Sequence, residues 1–434
     1  MKKRILSLLL CAVMAVTMLA ACGGNEAGNA GNEGGDESGK IVLDIYAQYA
    51  DDDTKVPYDY AVEQLAVEYP NVELNLIIQA QDDGTTLKTM AATGQLPDIF
   101  QANTDIINTL RETNQVMVLN DIADKTGFSS KIFESCKGLA YAEDGNMYAF
   151  PYAGDEYVLW YYNKALFAEN NLEVPTTYDE LLNCVKVFKE KGIVPLALFG
   201  QEGWNTAAMF DAVATRYAAG GIKDLDTQAA SITDDGYVKA ANKLEELVKA
   251  GLFQTGATTT NYDQASEMFL SGKAAMFING QWYIEDATKT LGENVDWMFY
   301  PAEDAAAYEV GKTVLAGGGS TSGYAVNPDS EHAELAAEVA AFISEKYCEA
   351  KVLYRHNPLV ALDTGMQSED ALPAMMQKLS DTIPSLTGTT KFTWGLTNAI
   401  FNEGICTETQ GLVSGQFSAE EFLENMEDVQ NNMN

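Results

Sequence analysis

The alternation of strand, helix and strand that begins at Lys40 restricts the fold of this chain more than any other feature. Ile41-Val42-Leu43-Asp44-Ile45-Tyr46 is an apolar run of strand length, and Val62, Leu65, Ala66 and Tyr69 follow at the i, i+3, i+4, i+7 spacing of an amphipathic helix. Val72 to Ile78 supplies the next strand. Leu96-Pro97-Asp98-Ile99-Phe100 supplies a third, after a helical stretch from Leu87 to Ala92. Crossovers of that length join parallel strands, so the spacing predicts an α/β fold. About 390 residues follow Lys40 at near-average apolar content, too many for one core, and two domains are expected.

Further along, Asp144-Gly145 reads as the tight turn of a hairpin between Tyr141-Ala142 and Met147-Tyr148-Ala149-Phe150. After Pro151, Tyr157-Val158-Leu159-Trp160-Tyr161-Tyr162 reads as the first strand of a second unit, with helical stretches at Tyr178 to Lys191 and Ala240 to Ala250. Trp297-Met298-Phe299-Tyr300 runs to Pro301 as another strand. Gly317-Gly318-Gly319 precedes Tyr324-Ala325-Val326 and a helix with Ala336, Val339, Ala340 and Ile343 on one face. No internal repeat indicates a solenoid.

The N-terminus carries an export pattern. Basic Lys2, Lys3 and Arg4, apolar Ile5 to Met18, and Leu19-Ala20-Ala21 before Cys22 form a lipoprotein signal cut before that cysteine. The apolar run is shorter than the roughly 20 residues a spanning helix needs. Gly23 to Gly39 holds only Gly, Asn, Glu, Ala, Asp and Ser, which cannot bury enough apolar surface to fold and should act as a flexible tether. The expected location is the extracytoplasmic face of the cell membrane, with lipid such as palmitate on Cys22. Removal of residues 1–21 leaves 24 basic against 63 acidic side chains, a net charge of −39. Such a field repels nucleic acid, anionic head groups and polyanionic substrates, leaving neutral or cationic ligands; the charge also serves solubility. Cys136, Cys184, Cys348 and Cys406 lie far apart without a C-x-x-C pair and read as buried thiols, with one or two disulfides as the alternative.

Catalytic patterns are sparse. The two histidines, His332 at an expected helix N-terminus and His356 beside Arg355, Asn357 and Pro358, read as surface residues, and neither H-E-x-x-H nor a cysteine and carboxylate cluster suggests a metal. Gly317 to Gly323 has the composition of a phosphate loop without its lysine or spacing, and Asp51-Asp52-Asp53 lacks the alternating ligands of a calcium loop. No cofactor is indicated. A two-carboxylate glycosidase stays open, since 63 acids offer many pairs. Trp204, Trp282 and Trp394 each lie at or near a glycine; such rings stack on the C–H faces of sugars while Asp, Asn and Gln take the hydroxyls, and they serve equally as core.

Five segments in order carry a resemblance. Thr93 to Ile99 (TGQLPDI), Trp160 to Phe167 (WYYNKALF), Pro175 to Leu182 (PTTYDELL), Met268 to Trp282 (MFLSGKAAMFINGQW) and Gly415 to Glu421 together resemble the family 1 extracellular solute-binding proteins of ABC importers, the maltose-binding-protein-like receptors. The resemblance implies a type II two-lobed periplasmic-binding-protein-like fold, with a ligand cleft between lobes joined by crossing hinge strands. It implies lobe 1 over residues 40–150, lobe 2 over 151–300, a return to lobe 1 over 301–360 and C-terminal helices of lobe 2 over 361–434. Hinges are expected at Phe150-Pro151 and Tyr300-Pro301. By position the implied cleft residues are Gln48, Asp51 or Asp53, Asp98, Asp155, Glu156, Trp204, Trp282, Trp394 and the glycines Gly317 and Gly318, extending to Gly319.

The implied role is that of a lipid-anchored monomer that binds a neutral mono- or oligosaccharide by lobe closure and delivers it to the transmembrane subunits of an ABC permease, with no catalysis of its own. Two other functions fit the same sequence: a receptor for a polyamine or peptide, favoured by the acidic surface, and an extracellular glycoside hydrolase or lyase.

Overall fold

The computed structural model describes residues 39–82 and 84–433. The signal segment, Cys22 and the tether up to Ser38 lie outside the described residues. Eleven strands follow one another in the described chain: β1 (Ile41–Ala47), β2 (Val72–Ile78), β3 (Ile99–Asn103), β4 (Phe150–Pro151), β5 (Val158–Asn163), β6 (Val194–Ala197), β7 (Ala274–Gly280), β8 (Val295–Met298), β9 (Val314–Leu315), β10 (Ser322–Val326) and β11 (Gly388–Thr389). They form a five-stranded sheet of order β2-β1-β3-β10-β4, a four-stranded sheet of order β6-β7-β5-β8, and a pair of β9 with β11.

In the first sheet β1 and β3 run parallel with Ile45 opposite Ile99, as their helical crossovers require. β10 enters antiparallel between β3 and β4, with Tyr324 facing Gln101 on one side and Phe150 on the other. The second sheet pairs β5 antiparallel with β7 and β8, and β6 parallel with β7. Every residue of β5 and β7 is buried, which is why both read as continuous apolar runs rather than alternating ones. Each sheet has its own core. One gathers Tyr46, Phe100, Ile106 and Ala325; the other gathers Trp160, Phe210, Phe277 and Trp297.

The helix Asp52–Glu68 starts on a capping box in which the Asp51 side chain accepts from the Thr54 backbone. Its inward face is Tyr58, Ala61 and Leu65, one step round from the expected stripe; Ala66 is exposed. The helix Ala333–Tyr354 buries Ala336, Val339, Ala340 and Ile343, the face its periodicity predicts. Near Asp144-Gly145 the turn forms, with the Gly145 N–H donating to Ala142, but no ladder follows it. Phe150-Pro151 pairs with β10 instead. No helix among the described residues is long and apolar enough to cross a membrane.

The chain passes from the first sheet to the second between Pro151 and Val158. It does not pass back at Tyr300-Pro301. The Tyr300 hydroxyl donates to the Val158 carbonyl (2.5 Å), and Ala302 bridges to Thr177, which holds this segment on the second sheet. The return comes after Gly317, which bridges to Tyr157, and before Ser322 opens β10. A third passage follows Leu362, bridged to Ile132, and precedes Met375, whose carbonyl accepts from the Trp297 indole.

β10 depends on a glycine. A Cβ at Gly323 would lie 2.2 Å from the Phe150 carbonyl oxygen, so the three-strand junction closes only without a side chain there. Gly323→Ala is expected to lower the thermal midpoint by about 2–5 °C in scanning calorimetry, as overpacking in a large domain does. An unchanged midpoint would show that the junction relaxes freely.

Candidate functional site

A cleft of about 430 Å³ opens where the two sheets face one another. On the first sheet it is bounded by residues at or just past the carboxyl ends of the parallel strands, Gln48, Gln79 and Asn103, together with Gln101 of β3 and Ser322 at the start of antiparallel β10. Open α/β sheets bind ligands at that end, because the strand-to-helix turns there leave backbone and side chains free to converge. The second sheet contributes Gln201 and Glu202 after β6, Gln281 and Trp282 after β7, and Trp204 and Trp394 from helical turns. Tyr152, Ala153 and Glu156, on the first crossing segment, also line it.

Three tryptophans from distant parts of the chain make one wall. The Trp204 and Trp394 rings meet edge to face with centroids 5.3 Å apart, and Trp282 lies 5.9 Å from Trp204 and 6.1 Å from Trp394. Buried Phe392 stacks flat on Trp394 at 4.3 Å and supports Trp282 at 5.5 Å. Trp282 can fold back because position 280 is a glycine; a Cβ there would fall 2.1 Å from the indole. Two indole N–H groups are held by carboxylates: Trp204 donates to Glu202 (3.0 Å) and Trp394 to Glu156 (3.3 Å). Ring positions are thus set by packing and by hydrogen bonds together, leaving Trp282 and Trp394 partly exposed to the cleft.

The opposite wall is polar. The Gln101 side-chain oxygen accepts from the Gln48 backbone (2.6 Å), and its amide donates to the Tyr324 hydroxyl (3.3 Å). Asp53 is only 6% exposed and pairs with Lys351, and more loosely with Arg355 at 3.4 Å. Asp51 caps its helix; burial and the neighbouring Asp53 charge raise its carboxyl above the ordinary range. Burial also pushes Glu156 up to about 7, against the opposing pull of Lys351 and of the Trp394 N–H. Two buried acceptors on this rim, Gln79 Oε1 and Asp82 Oδ1, have no hydrogen-bond partner among the described residues. An uncompensated buried acceptor costs free energy until something donates to it.

Gln48, Asp51, Asp53, Glu156, Trp204, Trp282 and Trp394 line the cleft, whereas Asp98, Asp155, Gly317 and Gly318 do not. Asp98 lies at the entry of β3, the far end of that strand, where its carboxylate accepts from the Asp44 N–H (2.8 Å) and the Ser330 hydroxyl. Asp155 is exposed and points towards Gly319. Gly317 and Gly318 lie behind the aromatic wall, pressed against Phe392 and the Thr390 carbonyl with φ of +91° and +150°. Gln79, Gln101, Asn103, Glu202, Tyr262 and Lys351 line the cleft without having been singled out in the sequence. Position just past a strand end could have flagged Gln79; Lys351, in the last turn of a long helix, carries no local signal. Cys136, Cys184, Cys348 and Cys406 form no disulfide with one another, and the first three are buried.

The arrangement offers flat apolar faces opposite hydroxyl acceptors and amide donors, which suits a ligand amphipathic on the scale of a single ring. A family model described as bacterial extracellular solute-binding protein matches residues 51–346. The multiple sugar-binding protein of Streptococcus mutans is 24% identical over 276 residues, 61% of each chain. The galactooligosaccharide-binding protein of Bacillus subtilis is 27% identical over 365 residues, 80% of this chain and 77% of its own. A solved structure from a study of xylan utilization by Caldanaerobius polysaccharolyticus superposes with a TM-score of 0.79 over 89% of this chain and 99% of its own, at 22% identity, and shares the two-lobed fold. With two lobes, a cleft at the strand ends and a family match over most of its length, the chain belongs to the bacterial extracellular solute-binding proteins.

Proposed function

We propose that this protein is the solute-binding component of an ABC importer, held by lipid on Cys22 at the extracytoplasmic face of the membrane, and that it binds a neutral mono- or oligosaccharide and delivers it to the permease as a monomer. The observation that carries the reading is the three-tryptophan wall of a 430 Å³ cleft whose lining also includes Gln79 and Asp82, each with one unpartnered oxygen among the described residues. Sugar C–H faces stack on such rings, and hydroxyls donate to Gln79, Asp82 and the carboxylates of the opposite rim. The relatives named above for sugars favour the same class. The lobes are proposed to exchange chain at 151–158, 317–322 and 362–375, so that a ligand touching both walls stabilises the closed state by its differential affinity. Binding of this kind needs no catalytic group, and the protein is proposed not to be an enzyme.

One observation favours a different ligand. Asp51, Asp53, Asp82, Asp105, Glu156, Glu202 and Asp263 line the cleft with Lys351 as the one cation among the described residues there, which suits a cationic solute such as a polyamine. Isothermal titration against a panel of sugars and polyamines separates the two. Saturable heat with a sugar and none with a polyamine supports the proposal; the reverse replaces it, and a cleaved product in the sugar cell overturns both.

Two substitutions test the parts. Trp282→Ala is expected to weaken sugar binding at least about fivefold, the loss of one stacking face, with a cooperative melt retained. Wild-type affinity in that variant would remove Trp282 from the site. Glu156 tests the buried charge. An unfolded glutamate loses its proton near 4.5 and the folded one near 7, so between those values the folded chain binds more protons and stability falls as pH rises. Glu156→Gln should therefore flatten the fall of the ligand-free thermal midpoint between about pH 5 and 8. A residual slope is expected from buried Asp211, which burial also pushes to about 7. An identical slope in wild type and variant would mean that Glu156 stays ionised throughout.

A further inference from the structure

Beside the cleft, the helix Ile284–Leu291, which follows β7, turns three charged side chains onto the first lobe. Lys289 Nζ lies 3.1 Å from Asp52, Asp286 lies 2.7 Å from Arg355 Nη2, and Glu285 lies 3.1 Å from His356 Nδ1. Asp52 opens the helix Asp52–Glu68, while Arg355 and His356 close the helix Ala333–Tyr354, and those two helices pack on each other beside the first sheet. All three contacts therefore run from one lobe to the other. His356, expected at the surface, is 18% exposed within this cluster.

The middle contact reaches the cleft. The Arg355 side chain is 4% exposed; its Nη2 holds Asp286 across the lobe boundary, and its Nε lies 3.4 Å from Asp53. Asp53 also pairs with Lys351, and both line the cleft. One guanidinium thus touches a cleft carboxylate with one nitrogen and the opposite lobe with another, in the forked geometry that only arginine offers. The outer pair agrees: its hydrogen bond to Lys289 holds the Asp52 carboxyl below the ordinary range.

We propose that Arg355 is a positioning residue that couples the cleft to lobe closure: Asp286 and Lys289 latch the lobes together without ligand, and the latch sets the fraction of protein competent to bind. The proposal rests on the closure mechanism above. Apparent affinity scales with that fraction, so breaking the latch weakens binding without altering any cleft contact. Exposed pairs contribute little singly and are screened by salt, whereas the shielded Arg355–Asp286 pair resists screening.

Small-angle X-ray scattering of the full ligand-free chain reads closure directly. At low salt Asp286→Asn and Lys289→Glu are expected to enlarge the radius of gyration relative to wild type. The charge exchange Asp52→Lys with Lys289→Glu should restore it, and wild type should expand as salt is raised. For any solute that binds wild type, Asp286→Asn should weaken binding by roughly three- to tenfold through faster dissociation. Folded variants with the wild-type radius at low salt, or a charge exchange that restores nothing, overturn the latch. Should Asp286→Asn fail to fold, the exchange pair and the salt series still decide. Absence of any sugar binding would count against the proposed ligand class alone, because the scattering arm needs no ligand.

Discussion

The two-lobed arrangement depends on the insertion of β10 between β3 and β4. Its five residues pair with Ile99–Asn103 on one side and two of them with Phe150–Pro151 on the other, so the first sheet is complete only after the chain has passed through all four strands of the second. A sheet assembled in that order forces the chain across the lobe boundary more than once. It also places Ser322, at the start of β10, beside Asn103 at the end of β3, so that the returning strand contributes to the same rim as the parallel strands it joins. The close approach at Gly323 and the tyrosine contact of Tyr324 with Gln101 are local consequences of that junction.

The cleft shows a division of labour between the lobes. The second lobe presents apolar faces, rigidly backed by Phe392 and by the glycines that let Thr390 and Phe392 come close. The first presents polar groups whose positions are fixed by local structure: Asp51 by its capping box, and the Gln101 side chain by accepting from the Gln48 backbone and donating to Tyr324. Carboxylates appear in both walls, yet with different work. Glu156 and Glu202 hold indole N–H groups and so orient the stacking faces, whereas Asp53 is neutralised by cations of the same lobe. Preorganisation of this sort lowers the ordering cost of binding, since few side chains have to be fixed when the ligand arrives.

Much of the fold was legible from periodicity, and the parts that were not share a cause. Val72 to Ile78 and the apolar face of Ala336, Val339, Ala340 and Ile343 follow local patterning and appear as read. The third strand begins at Ile99 rather than Leu96, because Pro97 has no N–H to give a ladder and Asp98 is engaged by Asp44 and Ser330. The supposed hairpin fails because Phe150 finds a partner 174 positions later, in Tyr324. Site residues follow the same rule. Aromatic residues beside glycines pointed to the wall, whereas Asp98 has the right composition at the wrong end of its strand, and Lys351 reaches the cleft only through the tertiary packing of its helix. Strand direction, which decides which end faces the ligand, is a property of pairing and is not written in any one segment.

Acidity gives the lobe boundary its logic. The chain carries 63 acidic against 27 basic residues, so bringing two such lobes together raises their mutual repulsion. Cations placed where the lobes meet offset that cost most effectively, because attraction across a partly desolvated contact exceeds that in bulk solvent. Lys289 reaches from the second lobe to Asp52, and Arg355 reaches from the first to Asp286, so each lobe supplies a cation to the other. The cost of separating them is then largest where Arg355 is buried and least where Lys289 and Asp52 are open to water. On this account opening should proceed as a zipper, with the exposed pair breaking first and the buried guanidinium, tied to the cleft through Asp53, releasing last.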